Sequence, residues 1–281
     1  MTLSLNAEEV AMDINSFPQP PVGMEMDTTW QAVFTIGQAI PATIMIIIAV
    51  RMLRRYSTPI PLLCLVGGAV AILIEPIVDV LGLVWFPREG QWVLLEVFGR
   101  PLPVFLIVYV WFVGGQTFLV WHRMERGVST REIWLMYLAF TIINIPTETP
   151  GLYMDLYTYY GAQPFTPFRL PLMWPIVNAL MPLAAATAIY RLRPYLHGWR
   201  VVGVVALVPM ADGTVNLATA FPLYITLNTN LGFKATYPAF FVMLALALFV
   251  VKIITIAAAT DTEQPERSSV THDRQAAVGA G

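Results

Sequence analysis

Residues Ala69–Phe86 read AVAILIEPIVDVLGLVWF, an apolar run that carries two carboxylates, Glu75 and Asp79, with Pro76 between them. On a helix, residues four apart share one face, one turn apart. Charge at membrane depth is expensive and usually faces an interior cavity, so an acid inside an apolar run marks a candidate functional site.

Composition places the chain in a bilayer. Of 281 residues, 57% are hydrophobic and 12% charged, against roughly a quarter charged in a soluble domain. Mean hydropathy is +0.65, and the apolar runs are too many and too long for one signal peptide or anchor. A net charge of −2 argues against nucleic acid as a partner. Cys64 is the single cysteine, so neither a disulfide framework nor a thiolate metal site is available. The three histidines, His122, His197 and His272, fall in polar connections or the tail, which excludes a His-rich di-iron site.

The runs predict an all-α, polytopic bundle of seven transmembrane helices. Their approximate bounds are 30–50, 60–86, 92–121, 133–153, 170–190, 201–224 and 237–259, each near the ~20 residues that cross a bilayer. Residues 1–28 form a polar segment at the membrane surface, 29–260 the transmembrane domain, and 261–281 a disordered tail. The connections after spans 1, 3 and 5 hold nine arginines: Arg51, Arg54, Arg55, Arg123, Arg126, Arg131, Arg191, Arg193 and Arg200. The opposite side holds four basic residues, Arg88, Arg100, Arg169 and Lys234. By the positive-inside rule the amino terminus is outside and the carboxyl terminus cytoplasmic, in a bacterial cytoplasmic membrane.

Spans 2, 4 and 6 all run outward, and their outer halves look alike. The stretches EPIVDVLGLVWFP, NIPTETPGLYMDLYTYYG and PMADGTVNLATAFPLY each combine an acid, a nearby proline and closing aromatics. Glu75, Glu148 and Asp212 are thereby predicted at one depth, roughly 20–24 Å up their helices at 1.5 Å per residue. Prolines free carbonyls one turn back, which need a cavity or a neighbour. The expected site is a pocket in the outer half, with Asp79, Asn178 and Asn216 as further polar groups. Its expected walls are Trp30, Trp85, Tyr109 and Trp111, with Tyr153, Phe168 and Trp174. Trp85 also reads, with Phe86, Trp92, Tyr157, Tyr159 and Tyr160, as part of an interfacial aromatic belt. Glu96, Arg100 and Asp155 read as interfacial or ion-paired, and Gly114 and Gly115 as close-packing positions.

No motif for diphosphate ionisation is present, nor a Walker loop, GxSxG or HExxH; no metal and no cofactor is expected. Carboxyls in a low-dielectric pocket remain. Burial and like charge both disfavour the anion, so several such acids hold at least one proton between them, poised as a general acid. Aromatic faces stabilise developing cations. The chemistry this fits is protonation of an epoxide or alkene in a lipophilic polyene, cyclisation through a carbocation, and return of a proton to a carboxylate. Glu75, Asp212 and Glu148 are the candidate catalytic residues. Asp79, Trp111, Tyr109, Trp174, Asn178, Asn216 and Tyr153 are the candidate substrate contacts.

Seven spans in a chain of this size, with an acid on the second helix and another late in the bundle, resemble the small integral membrane terpene cyclases. These belong to fungal meroterpenoid and indole-diterpene pathways and have bacterial relatives. The resemblance implies that Glu75 is the second-helix acid, Asp212 the late one, and a terpenoid or polyprenyl compound the substrate. It covers topology and two positions; the tryptophan that usually precedes the second-helix glutamate is Ile74 here. A proton-coupled transporter or channel is an alternative, since it also sets carboxylates at membrane depth. A carotenoid-modifying cyclase or hydratase shares the same logic, and an accessory protein without chemistry is the bland reading. Lys252 on the seventh span raises a retinal protein, but a lysine about one turn from the cytoplasmic end snorkels.

Overall fold

The computed structural model describes residues 17–259. Most of the polar N-terminal segment and the whole 261–281 tail lie outside the described residues. Five helical segments are long and apolar enough to cross a membrane: Thr28–Tyr56, Val104–Glu125, Met173–Leu192, Gly198–Leu227 and Phe233–Ala258. A sixth arises if the bent pair Ile60–Ala71 and Glu75–Gly82 is one span.

Helix α1 (Thr28–Tyr56) starts where Asp27 Oδ1 accepts from the Thr29 and Trp30 amides at 2.8 and 2.9 Å, a side-chain cap for orphan donors. Ile36, Ile40, Ile44 and Ile47 recur along its exposed face. A water-soluble protein does not leave such a continuous apolar stripe bare; a lipid-facing helix does. Phe241, Val242, Leu248, Phe249 and Ile253 repeat the pattern on α9 (Phe233–Ala259).

The second expected span is broken. Helix α2 (Ile60–Ala71) gives way at residues 72–74 to i→i−3 bonds, and α3 (Glu75–Gly82) leaves at 47° to it. Pro76 sits in the first turn of α3, where its missing N–H costs nothing. Beyond α3 the chain is extended rather than helical. Strand β1 (Val84–Trp85) pairs antiparallel with residues Thr158–Tyr159.

The third expected span starts twelve residues too early, at 92 against the observed 104. In place of its first turns stands a hairpin of β2 (Val93–Val97) and β3 (Arg100–Pro103). Its two-residue turn, Phe98–Gly99, has φ of 54° and 67°, which matches the twist of paired strands. Pro101 and Pro103 then deny a helix its donors. From Val104 the chain winds through a 3₁₀ turn (Val104–Ile107) and a π turn (Val110–Gly115) into α4 (Gln116–Glu125). The π turn is seated against α2: a Cβ on Gly114 would lie 2.5 Å from the Cys64 carbonyl oxygen, and one on Gly68 2.6 Å from that of Tyr109. Only glycine permits this approach.

Helix α5 (Thr130–Tyr153) is long enough to span, yet is not among the segments apolar enough to do so. Asn144, Thr147, Glu148 and Thr149 interrupt it. Strand β4 (Thr158–Tyr159), α6 (Met173–Asn178), α7 (Leu180–Leu192), α8 (Val204–Leu227) and α9 complete the chain. The core lies between α2, α7 and α8, where Leu65, Leu183, Ile189, Val208 and Leu223 are buried.

Candidate functional site

Helix faces make most of the site. On α5, Asn144, Thr147 and Glu148 stand at i, i+3 and i+4 and turn inward together. On α6 and the start of α7, Trp174, Asn178 and Met181 do the same at i, i+4 and i+7. Glu75 and Asp79 come from α3; Tyr109, which precedes the π turn, and Phe112 and Val113 within it complete that side. Between them lies a cavity of about 80 Å³. The strand pairing of β1 with β4 closes it, folding Tyr157 and Tyr159 back over the acids.

Three carboxyls (Glu75, Asp79, Glu148) and three phenols (Tyr109, Tyr157, Tyr159) therefore face one hollow. Glu148 is the best supported. It accepts from Tyr159 Oη at 2.6 Å, Asn178 Nδ2 at 3.1 Å and Tyr157 Oη at 3.5 Å. Glu75 accepts from the Tyr109 hydroxyl. Asp79, 1% exposed, has no hydrogen-bond partner on either carboxylate oxygen among the described residues. Phe86, Phe105 and Tyr157 pack as a triangle of rings, with centroids 5.5–6.2 Å apart. Trp174 stacks on Tyr159 at 5.5 Å, and its indole lies where a Cβ on Gly82 would be, 2.4 Å from Cζ2.

Of the candidate residues, Glu75, Glu148, Asp79, Tyr109, Trp174 and Asn178 meet at this cavity. Asp212 and Asn216 do not line it. Asp212 is fully buried and accepts from Asn216 Nδ2 at 2.7 Å, while Asn216 reaches the sulfur of Met181, on the cavity wall, at 3.4 Å. The pair forms a layer behind that methionine, because α8 packs its polar face on α7 rather than toward α5. Trp111 also turns away, donating to Gln38 Oε1 on α1 at 3.1 Å, since the π turn rotates it off the face shared by Tyr109 and Phe112. Tyr153, on the last turn of α5, is 57% exposed and lies under the Arg169 guanidinium. Trp30 and Phe168 are likewise exposed, and Trp85 packs beside Arg100 rather than lining the hollow.

Tyr157, Tyr159 and Phe86 correct the expected aromatic belt: they are cavity walls. The signal was long-range pairing between residues more than seventy positions apart, which no local pattern carries. Glu96 and Asp155 are held in exposed ion pairs, with Arg88 at 3.1 Å and Arg169 at 2.9 Å. Arg100 donates to the Val84 carbonyl at 2.7 Å. Lys252 lies on the exposed face of α9, away from the cavity. Among the described residues no group of three or more His, Cys, Asp or Glu is arranged to hold a metal ion.

The arrangement can donate a proton, accept one, and shelter a positive charge against rings without bulk water. The chain matches no protein-family model, no curated protein and no solved structure.

Proposed function

We propose that this chain is a membrane-embedded, metal-independent cyclase that acts on the reactive end of a lipophilic polyprenyl compound. The carrying observation is the convergence of Glu75, Asp79 and Glu148 on one aromatic-walled cavity. In this reading the carboxyl of Glu75 gives its proton to an epoxide oxygen or alkene carbon. The C–O bond or π bond breaks, and neighbouring π electrons close the ring on the cation. The faces of Phe105, Phe112 and Trp174 stabilise that charge, and the Glu148 carboxylate removes the terminal proton. One proton is given and one taken, so the change is an isomerisation that needs no co-reactant. Tyr109 orients the Glu75 carboxyl, and Tyr159 with Asn178 orients Glu148.

A cavity of about 80 Å³ is well below the ~300 Å³ at which pockets for drug-sized ligands begin. It takes the reacting end of a polyene; the rest enters as the Phe86–Phe105–Tyr157 triangle parts. The proposal also places seven spans in the membrane, counting the bent α2–α3 pair and α5, with the amino terminus outside. Asp212 becomes a supporting residue behind Met181 instead of a catalytic one.

Membranes containing the chain, incubated with epoxidised and plain polyprenyl aromatics, test the reading by product analysis. Glu75→Gln and Glu148→Gln should each lower turnover by about 100-fold or more, within the range for a positioned proton-transfer group. Full turnover in either variant, or none in the parent with every polyprenyl tried, overturns it.

A further inference from the structure

The cavity is unbalanced in hydrogen-bonding capacity. Among the residues that line the cavity, three acceptor atoms are buried without a partner among the described residues: both oxygens of Asp79 and Oδ1 of Asn144. Against them stands one donor, the indole N–H of Trp174. Asp79 is 1% and Asn144 2% exposed, so bulk water does not satisfy them. An orphaned buried polar group costs about 1–3 kcal/mol, more if it is charged, so the wall favours an occupant that brings donors.

The composition of the wall points the same way. Three carboxyls line the hollow, and no Lys or Arg is on its wall. The rings of Phe34, Phe86, Phe105, Phe112 and Trp174, with aliphatic side chains such as Leu106, supply apolar surface beside them. An ion that combines N–H donors, positive charge and a short apolar body meets all three conditions. We propose that the cavity binds a protonated primary amine, its ammonium between Asp79 and Asn144 and its alkyl group against the rings. Inorganic cations match less well, since they offer no N–H donors and gain little from the apolar wall. This inference rests on taking the cavity as the functional site, and not on cyclisation.

The experiment uses the full chain in detergent with n-butylammonium as probe, and n-butanol and sodium chloride at equal concentration as controls. The readouts are tryptophan fluorescence, to which Trp174 contributes from the wall, and the thermal unfolding midpoint. The expected result is a saturable response to butylammonium that neither control produces. Asp79→Asn should weaken binding at least 10-fold, Asn144→Leu several-fold, and Glu96→Gln, in an exposed ion pair, not at all. Should Asp79→Asn fail to fold, Asn144→Leu decides. An equal response to butanol, or unchanged affinity in both folded cavity variants, overturns the proposal. Turnover of a polyprenyl compound without butylammonium binding sinks this inference alone. Binding without turnover sinks the cyclase reading alone.

Discussion

The hydroxyl of Tyr159 donates to the carboxylate of Glu148 at 2.6 Å, joining a short strand to the C-terminal part of α5. Nothing near Tyr159 in sequence positions it; the pairing of β4 with β1 does, and there Tyr159 lies opposite Val84, 75 residues earlier. A hydrogen bond to a charged group contributes about 1.5–3 kcal/mol. Tyr159→Phe should therefore lower the unfolding midpoint and also lower turnover of an accepted substrate by about 10-fold or more. Tyr157→Phe should cost less, because Tyr157 reaches the carboxylate only at 3.5 Å and bonds the Glu148 carbonyl at 3.1 Å. Product assays on both variants check the ranking, and the reverse order would refute this account of Glu148.

Gly82 ends α3 directly beneath Trp174. An added Cβ would meet the indole at 2.4 and 2.8 Å, and the indole is itself buried against Tyr159. Overpacking of this kind costs about 1–3 kcal/mol. Gly82→Ala should lower the unfolding midpoint and change the tryptophan emission. If the midpoint holds and emission is unchanged, Trp174 is not confined as described.

Much of this site was legible along the chain, and the reason is helical periodicity. Glu75 with Asp79, and Trp174 with Asn178, are i, i+4 pairs, so each pair's shared face follows from spacing alone. Asp212 lies outside the cavity lining because spacing says which residues share a face but not which neighbour that face meets; on α8 it bonds Asn216, which in turn meets Met181 of α7. The hairpin at 93–103 was hidden inside an apolar run, where valines and leucines suit a strand as well as a helix. Its markers were Gly99, Pro101 and Pro103. The lid residues Tyr157 and Tyr159 had no local marker.

Glu132 provides a test at the other end of α5, outside the apolar stretch that begins at Ile133. Its carboxylate accepts from the Ser129 amide at 2.8 Å, from the Ser129 hydroxyl and from Arg123, completing a capping box. Those bonds, the Ser129 amide foremost, push its pKa down to about 2. The folded state thus favours the anion. The contribution is present above the ordinary carboxylate value of 4.5 and is lost as pH falls toward 2. Between those limits the unfolding midpoint of the parent should fall more steeply than that of Glu132→Gln. Parallel curves would mean that the cap contributes nothing. Ser129→Ala, which removes the cap hydroxyl, should cost about 1 kcal/mol at neutral pH.

Whether α5 crosses the membrane decides the orientation of everything after it. If it crosses, and the bent α2–α3 pair counts as one span, the exposed turn holding Asn230 and the exposed end of α1 at Arg55 lie on opposite faces. The single cysteine, Cys64, is buried, so a Cys64→Ala background leaves an introduced thiol as the only target. In intact cells a membrane-impermeant maleimide should label Asn230→Cys but not Arg55→Cys. After the membrane is opened, both should react. Asn228 Nδ2 bonds the Leu81 carbonyl at 2.7 Å, which ties that turn to the end of α3, the helix that carries Glu75 and Asp79. Labelling of Asn230→Cys from outside would place that end of the site toward the exterior, within reach of the outer leaflet. Labelling of Arg55→Cys alone would invert the molecule, and labelling of both from outside would remove α5 from the count of spans.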